Sequence, residues 1–344
     1  MPAHAAGIRD RQWYLSALKV AQAQRITKGQ GVVVAVLDSG VTAHRDLRGA
    51  VLDGTGTVST VAGRKGRFDD SGHGTAMASI IAARGGGGDG LLGIAPAAKI
   101  LPVSPAGDTL ATPRGVRWAV AHGATVLNMS FHMLDGRDMH QALREAAAAD
   151  VVLVAAAGNT GRQDNAATYP AVYDEVLTVG AVDRRGRVAA FSHHGADVDL
   201  VAPGVDIAAA YFGDEYQVGE GTSQATAIVS GAAALIRAKH PDLSAAQVVE
   251  LLTSTARDGG APGRDDYYGH GELDLLAALT APPPAASPSP SPAGRADAPV
   301  AGPVTPVPER GPAVPPLLIA GAGVLVLLAA GVILLLLVRR SRRS

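Results

Sequence analysis

The chain has 344 residues, of which 47% are hydrophobic and 18% charged, and its formal net charge is −1. This balance of charge gives no reason to expect a nucleic-acid partner. The sequence contains no cysteine, which excludes disulfides, thiolate metal sites and a cysteine nucleophile.

The first 280 residues alternate short β-branched runs with alanine-rich stretches. This alternation predicts an α/β domain of the doubly wound type, in which a mostly parallel sheet carries helices on both faces. The strand segments are continuously hydrophobic, which is typical of strands buried on both sides. Five strands are predicted, at Val32–Leu37, Ile100–Val103, Thr125–Met129, Val151–Ala156 and Val176–Val179.

Helix signals lie between and after these strands. Thr112 and Pro113 have the pattern of an N-cap followed by proline at the first helical position. Ser244 and Gln247 have the spacing of a capping box. Five helices are predicted, at His73–Ala83, Thr112–His122, Met139–Ala149, Ser223–Lys239 and Ser244–Thr255.

The C-terminal part of the chain has a different composition. Residues 281–316 contain 13 prolines in 36 residues and almost no bulky side chains, so they are predicted to form a disordered linker. Residues 317–338 are 22 consecutive uncharged and largely aliphatic residues, enough for a helix that crosses a lipid bilayer. Residues 339–344 carry four arginines, which the positive-inside rule assigns to the cytoplasm.

This polarity predicts a single-pass protein of the cell membrane, with residues 1–316 outside and the C-terminus in the cytoplasm. Export of the domain requires a signal peptide, yet residues 1–20 contain no apolar run of the length such a signal needs. Three explanations are open: the signal precedes the first residue, it has been removed, or the chain is tail-anchored with its domain in the cytosol. We favour a missing signal, because tail anchoring would send the arginines outward.

Three short segments carry residues suited to nucleophilic catalysis. Asp38 follows the first predicted strand, whereas His73 in Gly-His-Gly and Ser223 in Gly-Thr-Ser open predicted helices. A serine hydroxyl is a weak nucleophile and needs a histidine as its base, which an aspartate holds in the correct tautomer. Each residue also has a simpler explanation when taken alone: a turn for Asp38, a structural histidine for His73 and a helix cap for Ser223.

Together and in this order, the three segments resemble the motifs of the subtilisin family (subtilases, S8-type) of serine peptidases. The resemblance covers roughly residues 10–280 and implies a serine endopeptidase with Asp38, His73 and Ser223 as its catalytic triad. A fourth segment, Ala155-Ala156-Ala157-Gly158-Asn159, resembles the oxyanion-hole segment of the family. It implies that the Asn159 side chain and the Ser223 backbone N–H bind the oxyanion. No cofactor and no metal is implied.

The resemblance also implies the walls of a substrate pocket. His132 stands where the family has a glycine, so we expect it to crowd this pocket, and no family preference for a substrate can be transferred. The implied lining residues are Ser130, Phe131, His132, Ala156, Ala157, Gly158 and Thr168.

Within the family, the N-terminal segment Arg9–Leu15, the proline-rich linker, the apolar span and the arginine tail resemble a mycosin, a membrane-anchored protease associated with type VII secretion. This implies polypeptide substrates, a bilayer contact through residues 317–338 and association with a secretion membrane complex. Residues 1–28 are then expected to be a short extension packed on a protease domain at residues 29–280. The alternative is a mainly structural component of that complex, with dispensable protease activity.

Two other features have unremarkable interpretations. The loop Gly85–Gly90 lies where many subtilases bind calcium, but it has one carboxylate and no asparagine, too few side-chain oxygens for that ion. It also lacks the lysine and Ser/Thr of a phosphate-binding loop, so a surface loop is expected. His193 and His194 are predicted to lie in a polar turn, and His44, His122, His240 and His270 lack the spacing of a zinc motif.

Overall fold

The structure is a computed structural model that describes residues 7–58, 63–85, 89–104 and 107–285. The strands in these residues are β1 (Val33–Leu37), β2 (Thr55–Gly56), β3 (Lys99–Ser104), β4 (Val126–Met129), β5 (Val152–Ala156), β6 (Leu177–Val182), β7 (Leu200–Pro203), β8 (Ile207–Ala210) and β9 (Tyr216–Gly219). The helices are α1 (Trp13–Ala17), α2 (Val20–Ile26), α3 (His73–Ala82), α4 (Ala111–Ala121), α5 (Arg137–Ala148), α6 (Thr222–Lys239), α7 (Ala245–Ser254) and α8 (Leu275–Thr280).

Seven of the strands form one parallel sheet in the order β2-β3-β1-β4-β5-β6-β7. The order reverses beside β1, because the chain places β2 and β3 on one side of β1 and then continues on its other side with β4. β8 and β9 form a separate antiparallel hairpin. The predicted doubly wound, mostly parallel sheet is thus confirmed.

Both faces of the sheet are covered, which explains why its strands are continuously hydrophobic. In β1, Val34 and Val36 belong to a core with α3 and α6 on one face, while Ala35 and Leu37 belong to a core with α4 and α5 on the other. All four side chains have 0% exposure. Alternate side chains of a strand point to opposite faces, so a doubly covered strand needs an apolar residue at every position.

Helix α6 lies at the centre of the domain. Fifteen of its 18 residues are buried, so the helix is covered around its whole circumference rather than along one stripe. It packs against β4, β5, β6 and β7 and against α3 on its own layer. Small residues permit this close approach: a Cβ added to Gly231 would lie 2.6 Å from the Cβ of Ile94.

The N-terminal segment before β1 is held by side chains that reach distant backbone groups. Trp13 Nε1 donates to the carbonyl of Val205 at 3.1 Å, and Tyr14 is fully buried. Gln12 exchanges two hydrogen bonds with the backbone of Leu92, at 2.8 and 2.9 Å. These residues therefore pack as part of the domain.

The capping predictions for two helix starts have different outcomes. The capping box is confirmed, since Ser244 Oγ accepts the N–H of Gln247 and Gln247 Oε1 accepts that of Ser244. The prediction of Thr112 as an N-cap is wrong, because α4 already begins at Ala111 and Thr112 is buried in its first turn. The carboxylate of Asp108 accepts the N–H of Ala111 at 2.7 Å and performs the capping role.

The remaining predictions for the C-terminal part lie outside the described residues. The proline-rich stretch is described only as far as residue 285, so the rest of the linker, the apolar span 317–338 and the tail 339–344 stay predictions. Among the residues that are described, no helix is both long and apolar enough to cross a membrane.

Candidate active site

Four elements bring the predicted catalytic residues together. Asp38 directly follows β1 and Asn159 lies three residues beyond β5, so both come from the carboxyl edge of the sheet. His73 is the first residue of α3 and Ser223 is the second residue of α6. Their N-termini lie at the same edge, since His73 contacts Asp38 and Ser223 contacts Ser130, and these partners follow the paired strands β1 and β4.

Asp38 and His73 form a close pair. Both carboxylate oxygens of Asp38 lie 2.9 Å from His73 Nδ1, and the backbone N–H of Ser39 holds the carboxylate at 2.7 Å. Because a carboxylate can only accept, Nδ1 carries the hydrogen of this bond. In the neutral ring this leaves Nε2 without a hydrogen, ready to accept a proton.

The pKa of His73 is raised above its ordinary value of 6.5. Burial acts to lower the pKa, but the charge of Asp38 and its hydrogen bond outweigh burial, and the charge of Asp69 adds to them. Stabilisation of the protonated ring makes His73 a stronger base.

Asp69 is a component of the site that the sequence analysis missed. Its buried carboxylate accepts from Ser39 Oγ at 2.8 Å, from the N–H of Gly72 at 2.8 Å and from Thr75 Oγ1 at 2.6 Å. It thereby joins the segment after Asp38 to the first turn of α3. An acidic residue shortly before a helix start was the available signal, since carboxylates are favoured there.

The glycines that flank His73 allow close packing within the protein. Gly72 has φ +78°, and a Cβ there would lie 2.5 Å from the ring of Tyr211. A Cβ on Gly74 would lie 2.1 Å from the carbonyl oxygen of Gly40. Larger residues would therefore displace the start of α3 and the histidine with it.

Ser223 lies at the edge of the site and is 9% exposed. Its hydroxyl donates to the carbonyl of Ser130 at 3.4 Å, a long contact for an O–H donor. Within the described residues no hydrogen bond joins Ser223 to His73. Catalytic hydrogen bonds are often long or misaligned without substrate, and one rotation of the serine side chain would release the hydroxyl.

Asn159 is fixed by Thr222, a second component that the sequence analysis missed. Asn159 Oδ1 accepts from the backbone N–H of Thr222 at 2.9 Å and from its hydroxyl at 3.1 Å. The same hydroxyl accepts the N–H of Gly158 at 3.2 Å. These bonds set the orientation of the Asn159 amide and leave its Nδ2 without a partner among the described residues.

A second donor lies beside this amide. The backbone N–H of Ser223 belongs to the first turn of α6, where N–H groups have no acceptor within the helix. The Asn159 Nδ2 group and this N–H thus remain the two donors predicted for an oxyanion hole.

A cavity of about 180 Å³ adjoins these groups. Ala157, predicted to line the pocket, does not: it has 0% exposure and packs in the core with Val182, Val198 and Val201. Larger clefts of about 390 and 480 Å³ elsewhere on the domain contain no triad residue. The cavity is lined by Ser130, Phe131, His132, Ala156, Gly158, Asn159, Thr160, Thr168, Thr222 and Ser223.

The pocket wall at Ser130 is supported from the core. Ser130 Oγ donates to the carbonyl of Ser223 at 3.1 Å and accepts from Asn128 Nδ2 at 3.1 Å. Asn128 is fully buried, and its Oδ1 accepts from the hydroxyl of Ser230, also on α6. This polar chain connects β4 to the helix that carries the predicted nucleophile.

The loop considered for calcium is only partly described, since residues 86–88 lie outside the described ranges. At its C-terminal end the carbonyl of Gly90 accepts from Arg9 Nε at 2.7 Å. In the described part of the chain, no group of three or more His, Asp or Glu side chains is arranged to hold a metal ion.

The sequence profile described as the Subtilase family matches residues 29–271. The chain is a subtilase. It is 41% identical to subtilisin DY of Bacillus licheniformis over 260 residues, which are 73% of this chain and 92% of that protein. This subtilase is therefore a hydrolase of the subtilisin-like serine endopeptidase class, as the resemblance predicted.

Solved structures add a second set of relatives. The subtilase matches MycP1 from Mycobacterium smegmatis with a TM-score of 0.71 and 30% identity, covering 83% of this chain and 88% of that one. It matches the MycP3 protease of the type VII (ESX-3) secretion system with a TM-score of 0.68 and 32% identity, covering 81% and 90%. The predicted resemblance to the mycosins is thus confirmed.

Proposed function

We propose that the subtilase hydrolyses peptide bonds through Ser223, His73 and Asp38. Ser223 Oγ attacks the carbonyl carbon and its proton passes to His73 Nε2, while Asp38 holds the other ring nitrogen. The proton then goes to the leaving amine, and an acyl-enzyme remains on Ser223. Water, deprotonated by His73, hydrolyses this ester and restores the hydroxyl.

The charge of each tetrahedral intermediate lies on the former carbonyl oxygen. The Asn159 Nδ2 group and the Ser223 N–H are its proposed donors, and both are oriented before substrate binds. The observation that carries the proposal is the 2.9 Å pairing of His73 Nδ1 with Asp38, since it leaves Nε2 free to act as a base at the edge of the sheet where Ser223 also lies.

A fluorophosphonate probe tests this assignment, because it phosphonylates an activated serine. We expect one label on the wild-type chain, located at Ser223 by peptide mapping, and none on Ser223→Ala. Ser254→Ala is the matched control, since this exposed serine ends α7. An unlabelled wild type, or equal labelling of Ser223→Ala, would refute the proposal.

We further propose that the enzyme is anchored in the cell membrane through residues 317–338 and acts with a type VII secretion membrane complex. The apolar span and its arginine tail support the anchor. The MycP1 and MycP3 relatives, which come from type VII secretion systems, support the association. The linker would let the domain reach on the order of 100 Å from the bilayer.

Two experiments test this topology, one on intact cells and one on a truncated chain. External protease should remove the domain from wild-type cells, and deletion of residues 317–344 should release it from the membrane fraction. A domain that resists external protease until the cells are lysed would favour the cytosolic tail-anchored alternative.

The second candidate function is a structural role with dispensable proteolysis. One MycP1 structure is described as that of a serine protease and an essential component of the type VII (ESX-1) secretion system, a description that allows either role. A deletion strain complemented with Ser223→Ala separates the two. Restored secretion would mean that the folded domain is sufficient, whereas lost secretion would mean that hydrolysis is required.

A further inference from the structure

A second histidine–carboxylate pair lies behind the site. His193 was expected in a polar turn, but its side chain is only 4% exposed. Its Nε2 lies 3.0 and 3.1 Å from the two carboxylate oxygens of Asp197, and its Nδ1 lies 3.1 Å from the carbonyl of Asn165. Both ring nitrogens therefore face oxygens that can only accept, and each bond needs a hydrogen on the nitrogen.

Two partners of His193, Gly158 and Asn165, belong to the segment that carries Asn159. We call residues 158–168 the oxyanion loop; it joins β5 to the segment before β6 and contains no helix or strand of its own. The backbone N–H of His193 donates to the carbonyl of Gly158 at 2.9 Å, on one side of Asn159. Its imidazole holds Asn165 on the other side. His193 thus forms hydrogen bonds with the oxyanion loop on both sides of Asn159.

Further hydrogen bonds hold the same loop in place. Asn165 has φ +49°, an uncommon conformation for a residue with a side chain. Its amide exchanges two hydrogen bonds with the backbone of His194, at 2.7 and 3.1 Å. The N–H of Gly161 donates to the carbonyl of Phe191 at 2.9 Å. The hydrogen bond from the His193 imidazole to the carbonyl of Asn165 connects these loop contacts to the carboxylate of Asp197.

Asp197 supplies that charge. Burial acts to raise its pKa, but the hydrogen bond and charge of His193 outweigh burial, with a smaller contribution from Arg264, so the pKa lies below its ordinary value. The turn between the two residues is tight: a Cβ on Gly195 would lie 2.6 Å from an Asp197 oxygen. Asp197 thus fixes the ring of His193 at Nε2 while Nδ1 holds the loop.

We propose that His193 and Asp197 form a positioning pair that holds the oxyanion loop and so aims the Asn159 amide at the reacting carbonyl. This rests on the proposed function, since it assigns a task to the same site. His193 does not line the substrate cavity, so it acts on the reaction only through the loop.

A double-mutant cycle that combines His193 and Asn159 tests this positioning role. The probe is the peptide p-nitroanilide that wild type cleaves fastest, from a set that varies the residue before the scissile bond. We expect His193→Ala to lower kcat about tenfold, with KM changed less than twofold, because a displaced donor weakens transition-state binding only. In an Asn159→Ala background, the same substitution should lower kcat less than twofold, because the donor that it displaces is already absent.

A purely structural role would give a different result. Equal losses of kcat in both backgrounds, or no loss in either, would overturn the proposal. Circular dichroism at the assay temperature identifies variants that have not folded. If His193→Ala is among them, Asp197→Asn, which keeps the shape of the side chain, takes its place in the cycle.

Failure of the proposed function would be distinguishable from failure of the positioning role. A folded wild type that cleaves no p-nitroanilide and takes up no fluorophosphonate would refute proteolysis before any variant is compared. An active wild type with an additive cycle would refute only the positioning role.

Discussion

Two aspartate–histidine contacts of this subtilase have nearly the same geometry and different surroundings. His73 lies 2.9 Å from Asp38, and His193 lies 3.0 Å from Asp197. The side chain of His73 is 39% exposed at the mouth of the site, whereas that of His193 is 4% exposed behind it. The carboxylate contact alone therefore does not distinguish a proton acceptor from a fixed structural group.

The second ring nitrogen makes the distinction. His193 Nδ1 is occupied by the carbonyl of Asn165, so the ring can hold a loop but cannot exchange a proton with a substrate. His73 Nε2 has no such partner among the described residues. We therefore expect the same pair of side chains to support acid–base chemistry in one place and positioning in the other, depending on what faces the second ring nitrogen.

The largest expected effect separates the two pairs directly. Asp38→Asn should lower kcat by about 10⁴-fold, because the amide presents N–H groups to Nδ1 and favours the wrong tautomer of His73. Asp197→Asn should lower it only about tenfold, through the loop. Steady-state kinetics of the two variants on one p-nitroanilide measures the ratio, and losses of equal size would abolish the proposed distinction.

Removal of the oxyanion donor should have the next largest effect. Asn159→Ala is expected to lower kcat about 10²- to 10³-fold with little change in KM, a magnitude that comes from subtilisin itself and not from this structure. Thr222→Ser is the matched control, since it keeps the N–H and the hydroxyl that orient the amide. A loss confined to KM would show that Asn159 binds the substrate and not the transition state.

The pH profile provides a third way to compare the pairs. Only neutral His73 can accept a proton, so kcat/KM should fall about tenfold per pH unit below its pKa. This acid limb should lie above pH 6.5, since the pKa of His73 is raised. Asp38→Asn should shift the limb to lower pH, because it removes the charge that raises the pKa.

Asp197→Asn should leave the position of this limb unchanged, since Asp197 contacts His193 and not His73. An acid limb that moves with Asp197 rather than with Asp38 would contradict the assignment of the two pairs.

The smallest effect is expected from a third pair. His140 Nε2 lies 3.1 Å from Glu175, but both side chains are partly exposed and neither contacts the oxyanion loop or the cavity. His140→Ala should change kcat and KM less than twofold, and its effect on the free energy of unfolding should be about 1 kcal/mol or less. A loss as large as that of His193→Ala would mean that any such pair affects catalysis.

Local patterns in the sequence predicted five of the seven strands of the sheet, the helix that carries His73 and the helix that carries Ser223, whereas β2 and β7 were missed. Hydrophobic runs and glycine-flanked motifs are short-range signals, and they identified the residues that now meet at the carboxyl edge. The hairpin of β8 and β9 was missed, because an alanine-rich strand such as Ile207–Ala210 has weak strand propensity.

The supporting contacts could not be predicted in this way, because they join residues far apart in the chain. Thr222 contacts Asn159 across 63 positions, and His193 contacts Asn165 across 28. Thr112 illustrates the opposite error, since a good capping pattern was displaced by the carboxylate of Asp108 four residues earlier. Partners of this kind depend on the path of the chain rather than on local composition.

The position of Ser223 on α6 ties activity to the cooperative unfolding of the domain. The helix is buried along nearly its whole length against four strands, so its amide hydrogens should exchange with solvent only when the entire domain opens. A fluctuation of a surface loop can close or widen the pocket without moving the serine backbone. We therefore expect heat to displace the backbone of Ser223 only at the rate at which the whole domain unfolds.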